Sequence, residues 1–222
     1  MSEVVFLTVP DRAIAGVAAK LAAAEVESRA RLVLHCSGAL ERAVLAPVEE
    51  KGWATGVFHP LQALAGSVSA PRLRGCYVGV EAAPERLGRL FELADAIGAH
   101  AVEVRLEARL PYHIAAVVAS NYTVVLLDVA ASLLSDAGFP KPEASRMLLP
   151  LVEGALANLK ESTAREAMTG PIARGDAATV VRHLDYLRGR RPDVYELYRT
   201  LGMKALGVVG AEDSAEMREA LS

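Results

Sequence analysis

Three predicted strands of this chain end in polar residues, at the edge where open α/β sheets bind their ligands. The three ends are Thr8–Asp11, His35–Ala39 and Phe58–Gln62. His59 stands before a proline at the third end, and its near-neutral titration suits proton transfer from a hydroxyl or to a carbonyl. Two alternatives stay open. His59 could bind only backbone carbonyls, and Asp11 could serve only as the N-cap of the next helix.

Polar residues also interrupt a long apolar helix that is predicted in the second half of the chain. His113, Ser120 and Asn121 lie at positions i, i+7 and i+8. At about 100° per residue the first two nearly eclipse, and the third lies about 80° away. Several polar groups that converge on an apolar pocket usually mark a binding site. The alternative is that Ser120 and Asn121 form hydrogen bonds between buried helices.

A third candidate is the loop Thr169–Asp176 between two predicted helices. Its two glycines and one proline predict a fixed turn, and Asp176 is placed to cap the following helix. Arg174 in this loop could hold a carboxylate or phosphate through two parallel hydrogen bonds. A salt bridge that pins the loop is the alternative role for Arg174.

Five strands are predicted from short β-branched or apolar runs that are bounded by turn residues. Most of these runs are apolar on both faces, which is typical of a parallel sheet with helices above and below. The strands are Val4–Val9, Leu32–Cys36, Thr55–Phe58, Cys76–Val80 and Ala101–Val104.

Helical spacing fills the segments between the strands and the whole of the chain after Leu106. The sequence therefore predicts an α/β domain over residues 1–106 and an all-α domain over residues 107–222. The predicted helices are Asp11–Ala24, Leu40–Glu50, Pro84–Ile97, Pro111–Asp136, Glu143–Lys160, Ala177–Arg188, Val194–Leu206 and Ala211–Leu221.

The helix Pro111–Asp136 is long and apolar enough to raise the question of a membrane span. Polar groups within it would be costly in lipid, so we expect a buried core helix. They belong to His113, Ser120, Asn121, Thr123, Asp128, Ser132 and Ser135. The helices Tyr112–Leu134 and Ala144–Leu159 carry more apolar surface than a small half-sheet can cover. A homodimer is therefore predicted.

Length and composition favour a soluble globular protein. The chain has 222 residues, of which 52% are hydrophobic, a net charge of −3 and a pI near 6.0, so it lacks the basic footprint of a nucleic-acid-binding protein. Cys36 and Cys76 form no CxxC pair and no signal peptide is evident, which predicts a reduced, cytoplasmic setting. The five histidines show no metal-ligand spacing, so no metal is expected.

Five motifs resemble a family of bacterial Rossmann-like proteins with a DUF2520 C-terminal domain, which are related to NADP-dependent reductases. The resemblance covers almost the whole chain, and its last motif is the most specific. It implies a truncated Rossmann-like parallel sheet followed by a helical DUF2520-like domain for dimerisation and substrate binding. The motifs are Val5–Asp11, His35–Ala39, Phe58–Gln62, Tyr112–His113 with Ala119–Tyr122, and Thr169–Asp176.

The resemblance implies an NAD(P)-dependent oxidoreductase that acts on a small, carboxylate-bearing substrate. The looser comparison with 6-phosphogluconate, β-hydroxyacid and prephenate dehydrogenases implies that Ser37, His59 and Asn121 surround a substrate hydroxyl and the nicotinamide. A non-catalytic, dimeric metabolite-binding or regulatory module is the alternative. The implied roles are catalysis by His59, His113, Asn121 and Ser37, cofactor binding by Val9, Pro10, Asp11, Ser37 and Gly38, and substrate binding by Ser120 and Arg174.

One departure from the family concerns the glycine-rich phosphate loop. The family begins with a strand, a glycine-rich turn and a helix that hold the pyrophosphate, and this part is expected to be missing here. Val4–Val9 would then correspond to the fourth strand and form an exposed apolar edge. Three explanations stay open: a recorded start too far downstream, a part supplied by another chain, or a natural truncation with a repurposed site.

Overall fold

A single five-stranded sheet forms the first part of the chain. The computed structural model describes residues 4–24, 32–64 and 70–222. The strands lie in the sheet in the order of the chain, with β1 at one edge of the described sheet, and all neighbours are parallel except β3 and β4. The strands are β1 Val4–Leu7, β2 Leu32–His35, β3 Ala54–Pro60, β4 Tyr77–Ala82 and β5 His100–Glu103.

Helices follow the sheet, so the predicted class of a Rossmann-like sheet with a helical C-terminal part is confirmed. A 3-10 turn, Arg42–Leu45, precedes α2, and another, Leu106–Ala108, precedes α4. The helices are α1 Asp11–Ala23, α2 Ala46–Glu49, α3 Pro84–Ala96, α4 Arg109–Asp136, α5 Lys141–Glu161, α6 Ala164–Ala167, α7 Ala177–Arg190, α8 Pro192–Val209 and α9 Ala215–Ala220.

The expected strand–helix alternation is wrong between β3 and β4. Those two strands are antiparallel, and the described residues between them hold only a 3-10 turn, Ala70–Leu73. An antiparallel neighbour needs no crossover helix, because the chain can turn back directly. The described part of this connection therefore places no covering helix between β3 and β4.

Two apolar clusters cover the two faces of the sheet. Strand β2 is buried at every position, with Leu32 and Leu34 in one cluster and Val33 in the other. Leu90 of α3 packs in the first cluster and Ile14 of α1 in the second. Helices thus lie on both faces, as continuous apolar strands predict.

The chain divides into two compact units, Met1–Thr123 and Val124–Ser222, and the division falls inside α4. In the second unit, α7, α8 and α9 enclose a core that includes Val180, Leu206 and Met217. The predicted N-cap at Asp176 is confirmed, because its carboxylate accepts the backbone N–H of Thr179 at 3.0 Å. The domain boundary at residue 106 stays a prediction.

The expectation that the long apolar helix is buried is wrong for the single chain. Within α4 only Arg109 and Ala131 are buried, and Ile114, Val118 and Val125 are each 52% exposed. In the described part of the chain, the segment Leu106–Asp136 has the length and apolarity that a membrane span needs. Those two criteria alone are weak support for a span.

We expect Leu90→Ala to lower the free energy of unfolding by about 2–5 kcal/mol, because it leaves a cavity in the first apolar cluster. Urea unfolding measures this change. Leu106→Ala is the matched control, since Leu106 is 54% exposed and its truncation should change the free energy of unfolding by no more than about 0.5 kcal/mol. Equal effects of the two substitutions would contradict this packing.

Candidate functional site

The start of α4 is fastened to β4 by a buried ion pair. Arg109 is 3% exposed and its guanidinium binds the carboxylate of Glu81 on β4. A buried charge is tolerated only when it is paired, so this contact fixes where α4 begins. The Nε atom of Arg109 has no hydrogen-bond partner among the described residues.

Tyr112, in the first turn of α4, lies against β4 because position 79 is a glycine. A Cβ at Gly79 would stand 2.6 Å from the hydroxyl oxygen of Tyr112, which is closer than such atoms can approach. His59 of β3 is paired with Gly79 across the antiparallel register. The Tyr112 hydroxyl therefore reaches Nδ1 of His59 at 2.8 Å, and the two rings meet edge to face at 5.5 Å.

A second glycine, Gly38 after β2, lets the backbone approach two histidines. A Cβ at Gly38 would lie 2.8 Å from Cε1 and Nε2 of His59 and 3.0 Å from Nδ1 of His113. Nδ1 of His113 is buried and makes no hydrogen bond with any described group. Gly38 therefore lies beside Cε1 and Nε2 of His59 and beside the unpartnered Nδ1 of His113.

These groups border a cavity of about 790 Å³ in the first unit. Alanine and valine side chains of α4 form much of its wall, and polar groups converge on it, as in most small-molecule sites. Of the predicted site residues, His59, His113, Ser120 and Asn121 are brought together here. Its polar lining comprises His59, Gln62, Tyr112, His113, Ser120 and Asn121.

The surroundings of His59 favour its neutral form. Burial is the largest cause that lowers its pKa, followed by the positive charges of His113 and Arg109, and the result is a pKa of about 4. Asp11 opposes this shift. Burial also raises the pKa of Tyr112. Near neutral pH the site therefore presents an uncharged imidazole and an uncharged phenol.

Ser37 and Asp11 join the first two strand ends to each other. The Ser37 hydroxyl donates to the Asp11 carboxylate at 2.7 Å and accepts the backbone N–H groups of Ala39 and Leu40 at 3.2 and 3.0 Å. Ser37 is 5% exposed, so its hydroxyl holds this turn together and has no hydrogen left to donate. Its predicted catalytic and cofactor-binding roles stay predictions.

The alternative that Asp11 is an N-cap is wrong. Pro10 occupies the N-cap position of α1 without a side-chain hydrogen bond, and Asp11 is the first helical residue. Val9 and Pro10 are exposed beside it, at the carboxyl end of β1. Cofactor binding by Val9, Pro10, Asp11 and Gly38 stays a prediction.

The histidine that ends β2 has a structural role. His35 is fully buried, its Nδ1 accepts the backbone N–H of Ser37 at 3.2 Å, and Nε2 lies 3.2 Å from the carbonyl oxygen of Glu41. Burial lowers its pKa. The ring is thus neutral and satisfied by backbone groups, which is the role that was considered for His59.

Arg174 lies in the second unit. It is exposed in the turn that precedes α7, and it forms no salt bridge among the described residues. The alternative role as a salt bridge that pins its loop therefore has no support. Substrate binding by Arg174 stays a prediction.

Tyr112 is the site residue that sequence reasoning did not assign. Tyr112 precedes His113 in one of the five motifs, but the sequence does not indicate that its hydroxyl contacts His59. The signal lay in two glycines, Gly38 and Gly79, since a glycine inside or directly after a strand often marks a close approach of another group.

Two family profiles match the chain. One, described as a domain of unknown function (DUF2520), covers residues 76–205, and one described as a Rossmann-like domain covers residues 1–60. A comparison with curated proteins found no match.

Solved structures share the fold. Protein TM1727 of Thermotoga maritima is 26% identical, with a TM-score of 0.76 over 96% of this chain and 80% of that chain. A candidate NADP oxidoreductase, BF3122 of Bacteroides fragilis, is 23% identical, with a TM-score of 0.64 over 95% and 75%. A pyrroline-5-carboxylate reductase of Coxiella burnetii is 19% identical, with a TM-score of 0.53 over 100% and 76%.

The low pKa of His59 predicts a pH dependence of stability. In the unfolded chain the imidazole takes up a proton near pH 6.5, but in the fold it does so only near pH 4. Its contribution is therefore complete above pH 6.5 and is lost as the pH falls towards 4, by about 1–2 kcal/mol after allowance for solvent screening.

Urea unfolding between pH 7 and pH 4 measures this loss. His59→Gln should flatten the dependence, while His100→Gln, at an exposed position on β5, should leave it unchanged. An unchanged slope in His59→Gln would contradict the neutral, buried state of His59.

Proposed function

This chain belongs to the family described as a domain of unknown function (DUF2520), and from that premise we propose that it is an NAD(P)-dependent oxidoreductase of a small substrate. One observation carries the proposal. A neutral His59, which is hydrogen-bonded to Tyr112, borders a cavity at the carboxyl end of β3. This edge of an open α/β sheet is where nucleotide-linked enzymes bind their ligands.

The nicotinamide ring is proposed to bind in the cavity that His59 and His113 line. Gly38 has no side chain, and Nδ1 of His113 is buried beside it without a partner. Val9, Pro10 and Asp11 would border the cofactor at the end of β1, and Ser37 would hold their position through Asp11. The cofactor supplies the hydride when it is bound, and the chain orients the substrate and stabilises charge.

The substrate that we propose is small and bears a carboxylate. Ser120 and Asn121 offer hydroxyl and amide hydrogen bonds at the cavity wall. Arg174, exposed in the second unit, offers a guanidinium that can hold a carboxylate with two parallel bonds. A relative in fold carries the name pyrroline-5-carboxylate reductase, which is compatible with such a substrate.

We further propose that two copies of the chain associate through α4 and α5. One side of α4 exposes Ile114, Val118, Tyr122 and Val125, at spacings of three and four residues, and Leu151 of α5 is 71% exposed. Exposed apolar stripes of this size mark interfaces. Polar residues at intervals along α4 favour a protein partner over lipid, and the proposal includes no membrane or nucleic acid.

The setting that we propose is the cytoplasm. Cys36 and Cys76 are both free thiols in the structure. Burial raises the pKa of the Cys36 thiol to about 11, so it stays protonated and unreactive near neutral pH. Unpaired, unreactive thiols are typical of a reducing compartment.

We expect the protein to oxidise NADPH or NADH in the presence of a carboxylate-bearing carbonyl or imine compound, as followed by the loss of nicotinamide absorbance. His59→Asn should lower kcat/KM by about 10²–10⁴-fold, because it removes the group that contacts the reacting heteroatom. His100→Asn is the matched control and should retain full activity. Saturable cofactor binding without turnover of any such compound would favour a regulatory module instead.

Light scattering tests the proposed dimer. We expect a mass of twice the 23.5 kDa of one chain. Val125→Glu should shift the mass towards the monomer, because it places a charge within the apolar stripe of α4. Val181→Glu, at a 42% exposed position on α7, is the control and should leave the mass unchanged. A monomeric wild-type protein at every concentration would contradict the proposal.

A further inference from the structure

Tyr112 is held in a way that decides where its hydroxyl hydrogen points. Its phenolic oxygen lies against Gly79, where a Cβ would stand 2.6 Å from it. The backbone of β4 therefore closes that side of the hydroxyl group. The hydroxyl lies 2.8 Å from Nδ1 of His59, so this nitrogen is the acceptor within reach of its hydrogen.

The tautomer of His59 and the direction of this hydrogen bond determine each other. A neutral imidazole carries one hydrogen, and a nitrogen that accepts a hydrogen bond cannot bear it. With Nδ1 accepting from Tyr112, the hydrogen of His59 must be on Nε2. The same logic applies to His35, where Nδ1 accepts the N–H of Ser37 and Nε2 faces a carbonyl oxygen.

The surroundings of Nε2 point to a ligand atom. Nε2 of His59 and Nδ1 of His113 both approach Gly38, within 2.8 and 3.0 Å of where a Cβ would be. Nδ1 of His113 is buried without a partner, and Nε2 of His59 forms no hydrogen bond with any described residue. Both histidines line one cavity, and these two ring nitrogens keep hydrogen-bonding capacity for a bound molecule.

We propose that Tyr112 is a positioning residue that fixes His59 in its Nε2-protonated form, so that His59 donates a hydrogen bond to the carbonyl oxygen or imine nitrogen of the substrate. This inference deepens the proposed oxidoreductase function and rests on it. It names the substrate atom that the site recognises, which is a heteroatom that gains negative charge as the adjacent carbon is reduced.

The neutral imidazole is the form of His59 that its surroundings favour. Burial disfavours the imidazolium, the positive charge of Arg109 disfavours it further, and Asp11 opposes this shift. His59 therefore stabilises the developing charge through its N–H without first being protonated. Water that reaches the cavity supplies the proton that finally resides on the heteroatom, so His59 returns to the same tautomer after each turnover.

The chain contains a matched control for this contact. In the second unit, Tyr198 lies 2.8 Å from Nδ1 of His183, and the rings meet edge to face at 5.8 Å. That pair has the same donor and acceptor types, but His183 is exposed and is not part of the cavity lining. Removal of either phenolic hydroxyl should therefore affect only its own histidine.

Long-range ¹H–¹⁵N NMR of the histidine rings in the unliganded protein tests the tautomer directly. We expect wild-type His59 to show a hydrogen-bearing Nε2 and an unprotonated Nδ1. Tyr112→Phe should convert His59 to a mixture of tautomers, while Tyr198→Phe should alter His183 and leave His59 unchanged. A hydrogen on Nδ1 in the wild type, or an unchanged His59 in Tyr112→Phe, would overturn the inference.

Kinetics then separate this inference from the proposed function. Tyr112→Phe should lower kcat by about 10–100-fold and change KM by less than about threefold, since it affects the transition state more than substrate binding. A wild-type kcat in Tyr112→Phe would overturn the role of Tyr112. If the wild type turns over no substrate, the proposed function and the substrate contact both fail, whereas the NMR result still decides whether Tyr112 sets the tautomer.

Discussion

The close approach of α4 to the end of β3 and to β4 is the constraint on which the candidate site depends. It requires that Gly79 have no side chain, because a Cβ there would stand 2.6 Å from the Tyr112 hydroxyl. The buried pair of Arg109 and Glu81 fixes the start of the same helix. With the helix held there, Tyr112 reaches His59 and the cavity wall follows along the next turns. The site therefore depends on the close approach of α4 to the backbone of β4, and not on His59 alone.

The same packing sets the chemistry. Burial and the positive charges nearby keep His59 neutral, and a neutral imidazole that is engaged at Nδ1 offers an N–H at Nε2. Such a group stabilises charge on a substrate heteroatom through its N–H and is not the proton donor near neutral pH. In the proposed reaction the cofactor carries the hydride. The residues of the chain orient the substrate and form hydrogen bonds to it.

The sequence predicted the polar strand end at His59 and the helical stripe of His113, Ser120 and Asn121, because strand ends and helical periodicity are local properties. It did not predict the antiparallel return of β4, since strand direction depends on how distant segments pair. It also placed the long helix in the core, because apolar composition does not say whether the covering surface belongs to the same chain. Tyr112 was missed for a similar reason, as its role exists only through its approach to β4.

The most direct test of the central claim is to titrate NADPH into the protein and follow the five histidine rings by NMR. If the cavity lined by His59 and His113 holds the nicotinamide, the signals of these two residues should shift with a single saturation curve. His100, on the edge strand β5, and His183, in the second unit, should stay unchanged. Saturable binding of NADPH that leaves His59 and His113 unaffected would contradict the account.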